Sequence, residues 1–136
     1  REEEGGTYGV HAGGSISRYP EGQTILQIIF DTDPERITDL NQLVLNILDE
    51  FSKEGPREAD FVKVKEYMNK SYTESLKENG YWLGILKNKY FYDEDVHTLY
   101  INTVNAITPN EIRDFAKSLL DQGNLKTIVM LPEVTE

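Results

Sequence analysis

Few residues of this chain could do chemistry, and their spacing narrows the choice further. Its histidines are His11 and His97. A helical zinc site needs two histidines and a carboxylate on adjacent turns, so that ring nitrogens converge on one ion. Here one histidine falls in a strand pattern and the other far along the chain in a helical one, with no His-x-x-Glu-His or inverse arrangement. No metal is therefore assigned to this chain, and each histidine reads as a surface or hydrogen-bonded residue. Asp31, Asp33, Asp93, Glu94 and Asp95 could gather a hard cation, but they lack the ligand alternation and glycine of a calcium loop, and capping or solvation explains them better. Acyl transfer has neither a cysteine nor a Gly-x-Ser-x-Gly to work with. Gly5-Gly6 and Gly13-Gly14 make no phosphate loop, since no lysine follows and no helix starts there. What remains is the opening stretch, where a charged run from Arg1 to Glu4 stops at Gly5-Gly6 and passes into a strand-like segment. A sharp change of direction separates Arg1 from Tyr8, a shape a binding site could use. Catalysis by this chain in isolation is not expected.

Composition limits the partners. The chain has 136 residues, enough for one domain with a core of its own, and no cysteine to form a disulfide or a thiolate metal site. Its 24 acidic and 14 basic side chains give a net charge of -10, which repels phosphate backbones and anionic bilayers and argues against a nucleic-acid or lipid partner. The acidic residues are spread along the helical segments, as on a solvated surface. No apolar run approaches the length of a membrane span, and no signal-peptide pattern is seen.

The elements that would position the opening stretch follow from periodicity. Tyr8, Val10, Ala12, Gly14 and Ile16 alternate with His11, Gly13, Ser15 and Ser17, which predicts a strand whose glycines leave room for close approach. After the turn Tyr19-Pro20-Glu21-Gly22, Gln23 to Asp31 predicts a second strand, apolar on both faces and so expected inside the sheet. Asp33-Pro34 predicts a capped helix start. Ile37, Leu40, Val44, Ile47, Leu48 and Phe51 then recur at helical spacing until Gly55-Pro56. A second helix is predicted from about Arg57 to Lys77 on a stripe of Phe61, Val64, Met68, Tyr72 and Leu76, and a third opens at Tyr81-Trp82, whose aromatic cluster reads as core rather than ligand cage. Tyr90 to Asp95 reads as a loop and Val96 to Val104 as a short helix. Thr108-Pro109-Asn110-Glu111 is a capping box launching a helix with Ile112, Phe115, Ala116, Leu119 and Leu120 inward, ended by Gly123. Leu125 to Leu131 predicts a last strand, closed by Pro132 and followed by a loose tail. The resulting class is α+β, a mainly antiparallel sheet with helices packed on one face, read as one domain over residues 1–136. Three strands are few for so much helix, so a partner chain or a further segment is expected to complete the sheet, and its edges are expected to invite self-association.

These motifs together resemble one family. Arg1 and Tyr8 within Arg-Glu-Glu-Glu-Gly-Gly-Thr-Tyr-Gly-Val are similar to the C-terminal half of the pitrilysin and insulinase zinc metallopeptidases, the M16 family. Gly55-Pro56-Arg57-Glu58-Ala59-Asp60-Phe61, Asn79-Gly80-Tyr81-Trp82-Leu83 and Ile107-Thr108-Pro109-Asn110-Glu111-Ile112 continue the resemblance in the same order. The resemblance implies a partial domain of the LuxS/MPP-like metallohydrolase type, the later part of the last, non-zinc-binding domain of a larger peptidase. It implies that zinc lies in another domain of the parent enzyme and that this chain binds no cofactor. Its partners would be the remaining domains or a partner subunit, together with a peptide substrate. Tyr8 would be an oxyanion or substrate-carbonyl donor, and Arg1 a substrate-carbonyl clamp. The alternative within the same family is a catalytically silent assembly subunit.

Overall fold

A computed structural model describes residues 7–131 and, of Thr7 and Tyr8, the backbone. Arg1, the Gly5-Gly6 turn and the tail from Pro132 onward lie outside the described residues. Among the described residues two antiparallel strands and five α-helices are formed, with 59% of the structure helical, an α+β composition consistent with a partial domain of that class. The chain divides into two compact units, residues 1–48 with 127–136 and residues 49–126.

The first unit is built on a hairpin. Strand β1, Thr7–Ser17, pairs with β2, Gln23–Thr32, around the Tyr19-Pro20 turn, whose peptide bond is cis. Ala12 lies opposite Ile28, Gly14 opposite Leu26 and Ile16 opposite Thr24, and on the alternate face His11 lies opposite Ile29, Gly13 opposite Gln27 and Ser15 opposite Ile25. Alternation in the sequence thus fixes both faces from Val10 onward. Two differences from the sequence reading are plain. Among the described residues β2 has no neighbour except β1, so its apolar character on both faces does not place it inside the sheet. Asn124 to Leu131 forms no strand, and Ile128 and Met130 are 86% and 91% exposed. β-propensity becomes a strand only when a neighbouring edge supplies the ladder, and none is provided here among the described residues.

The predicted helix at Asp33-Pro34 begins one step later than expected. Pro34–Arg36 is a single 3₁₀ turn, and the helix proper, α1, runs from Ile37 to Glu54. Asp33 makes no side-chain cap bond, so the proline at the first position rather than the aspartate defines this start. Within α1, Leu40 is buried, while Ile37, Val44, Leu48 and Phe51 are half-buried and Ile47 stays exposed.

The second unit is helical. Helix α2 spans Glu58–Ser75, α3 Asn79–Tyr92, α4 Tyr100–Ala106 and α5 Pro109–Leu120. The inward stripe of α2 is Phe61, Lys65, Met68, Tyr72 and Leu76, with Lys65 in the place expected for Val64, which is exposed. Lys65 earns that place by a bond, donating to the carbonyls of Asn105 and Ile107 at the end of α4. Helix α3 continues through Tyr90 and Tyr92, where a loop was expected, until Asp93 adopts a left-handed conformation and ends it. Residues 96–99 form a turn, so α4 starts later than Val96. The capping box of α5 is present as read, with Glu111 N–H donating to Thr108 Oγ1 and Thr108 N–H donating to the Glu111 carboxylate at 2.8 Å. Phe115 is exposed on α5 rather than inward, and Val104 of α4, only 3% exposed, is the most buried apolar residue among those described.

Candidate functional site

The hairpin carries the one sequence-predicted site residue that the structure describes. Between Thr7 and Val10 the register of β1 on β2 slips by one: Thr7 lies opposite Thr32, yet Val10 lies opposite Phe30. Tyr8 and Gly9 therefore share a single opposing residue, Asp31, which is a β-bulge. This corrects the simple alternation. Thr32 and Phe30 are two apart and share a face, so Thr7, and not Tyr8, is in phase with Val10. Arg1, the second predicted residue, lies outside the described residues.

On β2, Phe30 and Ile28 are half-buried while the alternating Asp31, Ile29 and Gln27 are exposed; on β1, Val10 and Ala12 opposite Phe30 and Ile28 are exposed, as is His11. The imidazole of His11 lies over Gly13, where a Cβ would come within 2.9 Å of Nε2. Gly13 thus leaves room for a neighbouring side chain, as its place in the strand pattern suggests. Beside the hairpin unit's first helix, an open groove of about 320 Å³ is lined by Arg36, Asp39, Leu40, Gln42, Leu43 and Asn46, a set with no serine, cysteine or histidine.

A second gathering of titratable groups lies in the helical unit, and sequence reasoning did not assemble it. The hydroxyls of Tyr81 and Tyr72 approach Nδ1 of His97 at 2.8 and 3.2 Å. Tyr72 stacks on Tyr100 with ring centres 4.8 Å apart and 9° between planes. Trp82 meets the His97 ring at 5.0 Å, with its indole N–H donating to the carbonyl of Leu76 at 2.9 Å. An imidazole nitrogen has one in-plane position, so the nearer phenol, Tyr81, occupies it. Burial, and then the Tyr72 phenol beside it, push the Tyr81 hydroxyl above the usual tyrosine range. Asp95 accepts from the backbone N–H groups of Thr98 and His97, and these bonds, that of Thr98 first, hold its carboxyl below the usual aspartate range and fix the turn that presents the imidazole. His97 is thus a hydrogen-bonded residue, as expected, though on a turn and not a helix. The sequence signal was only the clustering of aromatics at Tyr81 and Trp82; their convergence with Tyr72 and Tyr100 depends on how the helices pack. Chemically this cluster ties α2, α3 and the turn before α4 together.

Among the described residues no three histidine, cysteine, aspartate or glutamate side chains are placed to hold a metal ion, and no helix is long and apolar enough to cross a membrane. Fold and site together describe an α+β piece with a bulged hairpin at its start and no metal-ligating group of its own among those residues. The family model described as the peptidase M16 inactive domain matches residues 1–68, which covers the hairpin, α1 and the first part of α2. The chain belongs to this family of M16 inactive domains. No curated protein matches it.

Proposed function

We propose that this chain is the C-terminal, non-zinc-binding part of a zinc-dependent M16-type metalloendopeptidase, and that it lends substrate-binding and transition-state contacts to a zinc site in another domain. The observation that carries this reading is the family match over residues 1–68, which spans both Arg1 and Tyr8. The described residues do not themselves fit a zinc ion. In the assembled peptidase, zinc held elsewhere would supply Lewis-acid activation of the attacking water. This chain's residues do the rest of the polar work. The Tyr8 phenol donates to the oxyanion that develops on the substrate carbonyl, and the Arg1 guanidinium clamps a neighbouring carbonyl and fixes the peptide's register. The Tyr8 contact grows as negative charge builds on the reacting oxygen, so it acts on turnover more than on ground-state binding, whereas the Arg1 clamp on a carbonyl that does not react acts on binding and register.

Residues 1–136 form one part of the last domain in this reading, and the remaining domains or a partner subunit complete its sheet and cover its apolar surface. The exposure of Ile25 and Ile29 on β2 and of Ile128 and Met130 supports that need. Replacing Tyr8→Phe in the assembled peptidase tests the assignment: kcat falls about a hundredfold, with a smaller change in KM. Unchanged turnover removes Tyr8 from the mechanism. Chelator-sensitive peptide cleavage by the isolated chain would overturn the statement that it carries no catalytic metal. An assembly whose other half lacks a zinc motif, and which cleaves nothing, is the scaffold of the alternative reading.

A further inference from the structure

The chain has a single Asn-Gly pair, Asn79-Gly80, and it opens α3. Asparagine is a thermolabile side chain, and its amide carbon is most easily attacked by the next backbone nitrogen when that nitrogen belongs to glycine, which adds nothing to obstruct the approach. The attack also requires a nitrogen that is not held in a hydrogen bond. Gly80 meets this condition. As the second residue of the helix its N–H has no intrahelical acceptor, and Glu78, just before the helix, makes no side-chain cap bond. The Leu76 carbonyl, the preceding acceptor in a helical ladder, takes the Trp82 indole N–H instead. Among the described residues neither the Asn79 amide nor the Gly80 N–H has a hydrogen-bond partner, and both residues are exposed. The other asparagines differ. After Asn102 the Thr103 N–H donates to the Leu99 carbonyl, and after Asn110 the Glu111 N–H donates to Thr108 Oγ1. Asn124 lies in irregular chain but is followed by the branched Leu125.

We infer that Asn79-Gly80 is a self-modification site, at which the folded chain deamidates and alters the start of α3. The Gly80 nitrogen, its proton taken by hydroxide, attacks Asn79 Cγ. The N–Cγ bond forms, the Cγ–Nδ2 bond breaks, and ammonia leaves with a proton from water. Water then opens the resulting succinimide ring. Opening at Cγ gives aspartate; opening at the main-chain carbonyl carbon gives isoaspartate, whose backbone runs through Cβ and Cγ. The positive end of the helix dipole favours both the anionic nitrogen and the new carboxylate. Fraying of a helix end supplies the backbone freedom that ring closure needs. The products differ in their effect. Aspartate leaves a charge at the helix N-terminus with the backbone unchanged, whereas isoaspartate takes the main-chain carbonyl of residue 79 out of the helical ladder and shortens α3.

The test uses the full chain, held folded at mildly alkaline pH, quenched in acid and compared with an unincubated sample by peptide mapping. Trypsin cleavage after Lys77 and Lys87 yields residues 78–87, in which Asn79 is the one asparagine. Loss of ammonia is expected in this peptide before any other, faster as pH rises, with aspartate and isoaspartate forms that separate on chromatography. Asn79→Gln abolishes the loss over the same period. So does Gly80→Ala, whose added Cβ meets nothing within 4 Å in the fold. An unchanged 78–87 peptide in the folded chain, whether or not urea releases the reaction, overturns the inference, as does earlier loss at another asparagine. The isoaspartate fraction is expected to melt below the aspartate fraction, and equal Tm values overturn the effect on α3.

Discussion

Lys65 on α2 donates its ammonium to the carbonyl of Asn105, 2.7 Å away and 40 residues later, and in doing so closes the C-terminal end of the short helix α4. The carbonyl of Ile107 takes a second bond from the same nitrogen at 3.1 Å. Unpaired carbonyls at a helix end are satisfied and the negative end of the helix dipole meets a cation. Lys65→Met keeps the aliphatic stem but removes the donor, and a loss of about 1 kcal/mol in unfolding free energy is expected by urea denaturation. Asn69, which donates to Asn105 Oδ1 from the next turn of α2, would share the loss, so the Lys65→Met and Asn69→Ala effects should be non-additive.

The Tyr81–His97 contact predicts a spectroscopic signature. Since the folded structure holds the Tyr81 hydroxyl above its ordinary range, its protonated form is favoured by folding. The associated stability is fully present below the unfolded tyrosine value of about 10 and is lost as pH rises through the higher folded value. Ultraviolet titration of tyrosinate should show one late-ionising group that disappears in Tyr81→Phe. The same variant leaves His97 Nδ1 with only the more distant Tyr72 hydroxyl, at a cost of about 1 kcal/mol.

Capping makes an acid-side prediction. The hydroxyl of Thr108 first, and then its backbone N–H, keep the Glu111 carboxyl below the usual glutamate range, and Asp95 is lowered in the same direction by Thr98. Their stabilisation is present above the unfolded carboxylate values near pH 4 and is lost as pH falls through the lower folded values. Thr108→Ala should cost about 1 kcal/mol at neutral pH and reduce this acid dependence, as read from thermal melts between about pH 5 and pH 2.

Two helix-ending glycines separate backbone strain from crowding. Gly55, at φ of 82°, has Arg113 Cβ only 3.3 Å from where its own Cβ would stand, whereas Gly123, at φ of 67°, has nothing within 4 Å. Gly123→Ala should cost about 1 kcal/mol for the left-handed backbone alone. Gly55→Ala should cost measurably more, and equal losses in paired denaturation curves would show that Arg113 yields without penalty.

Much of this was legible in the chain. Gly55 and Gly123 marked helix ends, Thr108 and Glu111 spelled out their own cap, and alternation from Val10 to Ser17 fixed both faces of the hairpin, because each depends on neighbours within a few residues. The family resemblance was legible for the same reason, as motifs in a fixed order. Other features were not. Lys65 took a place on α2 that hydropathy reserved for Val64, since a charged head can be held by distant carbonyls. Leu125 to Leu131 has the composition of a strand but no ladder among the described residues, and a ladder needs a second edge. The phase of Tyr8 was decided by pairing: one residue more on β1 than on β2 between Thr7 and Val10 inverts the alternation, and no count made on a single strand can reveal how many residues its partner sets against it.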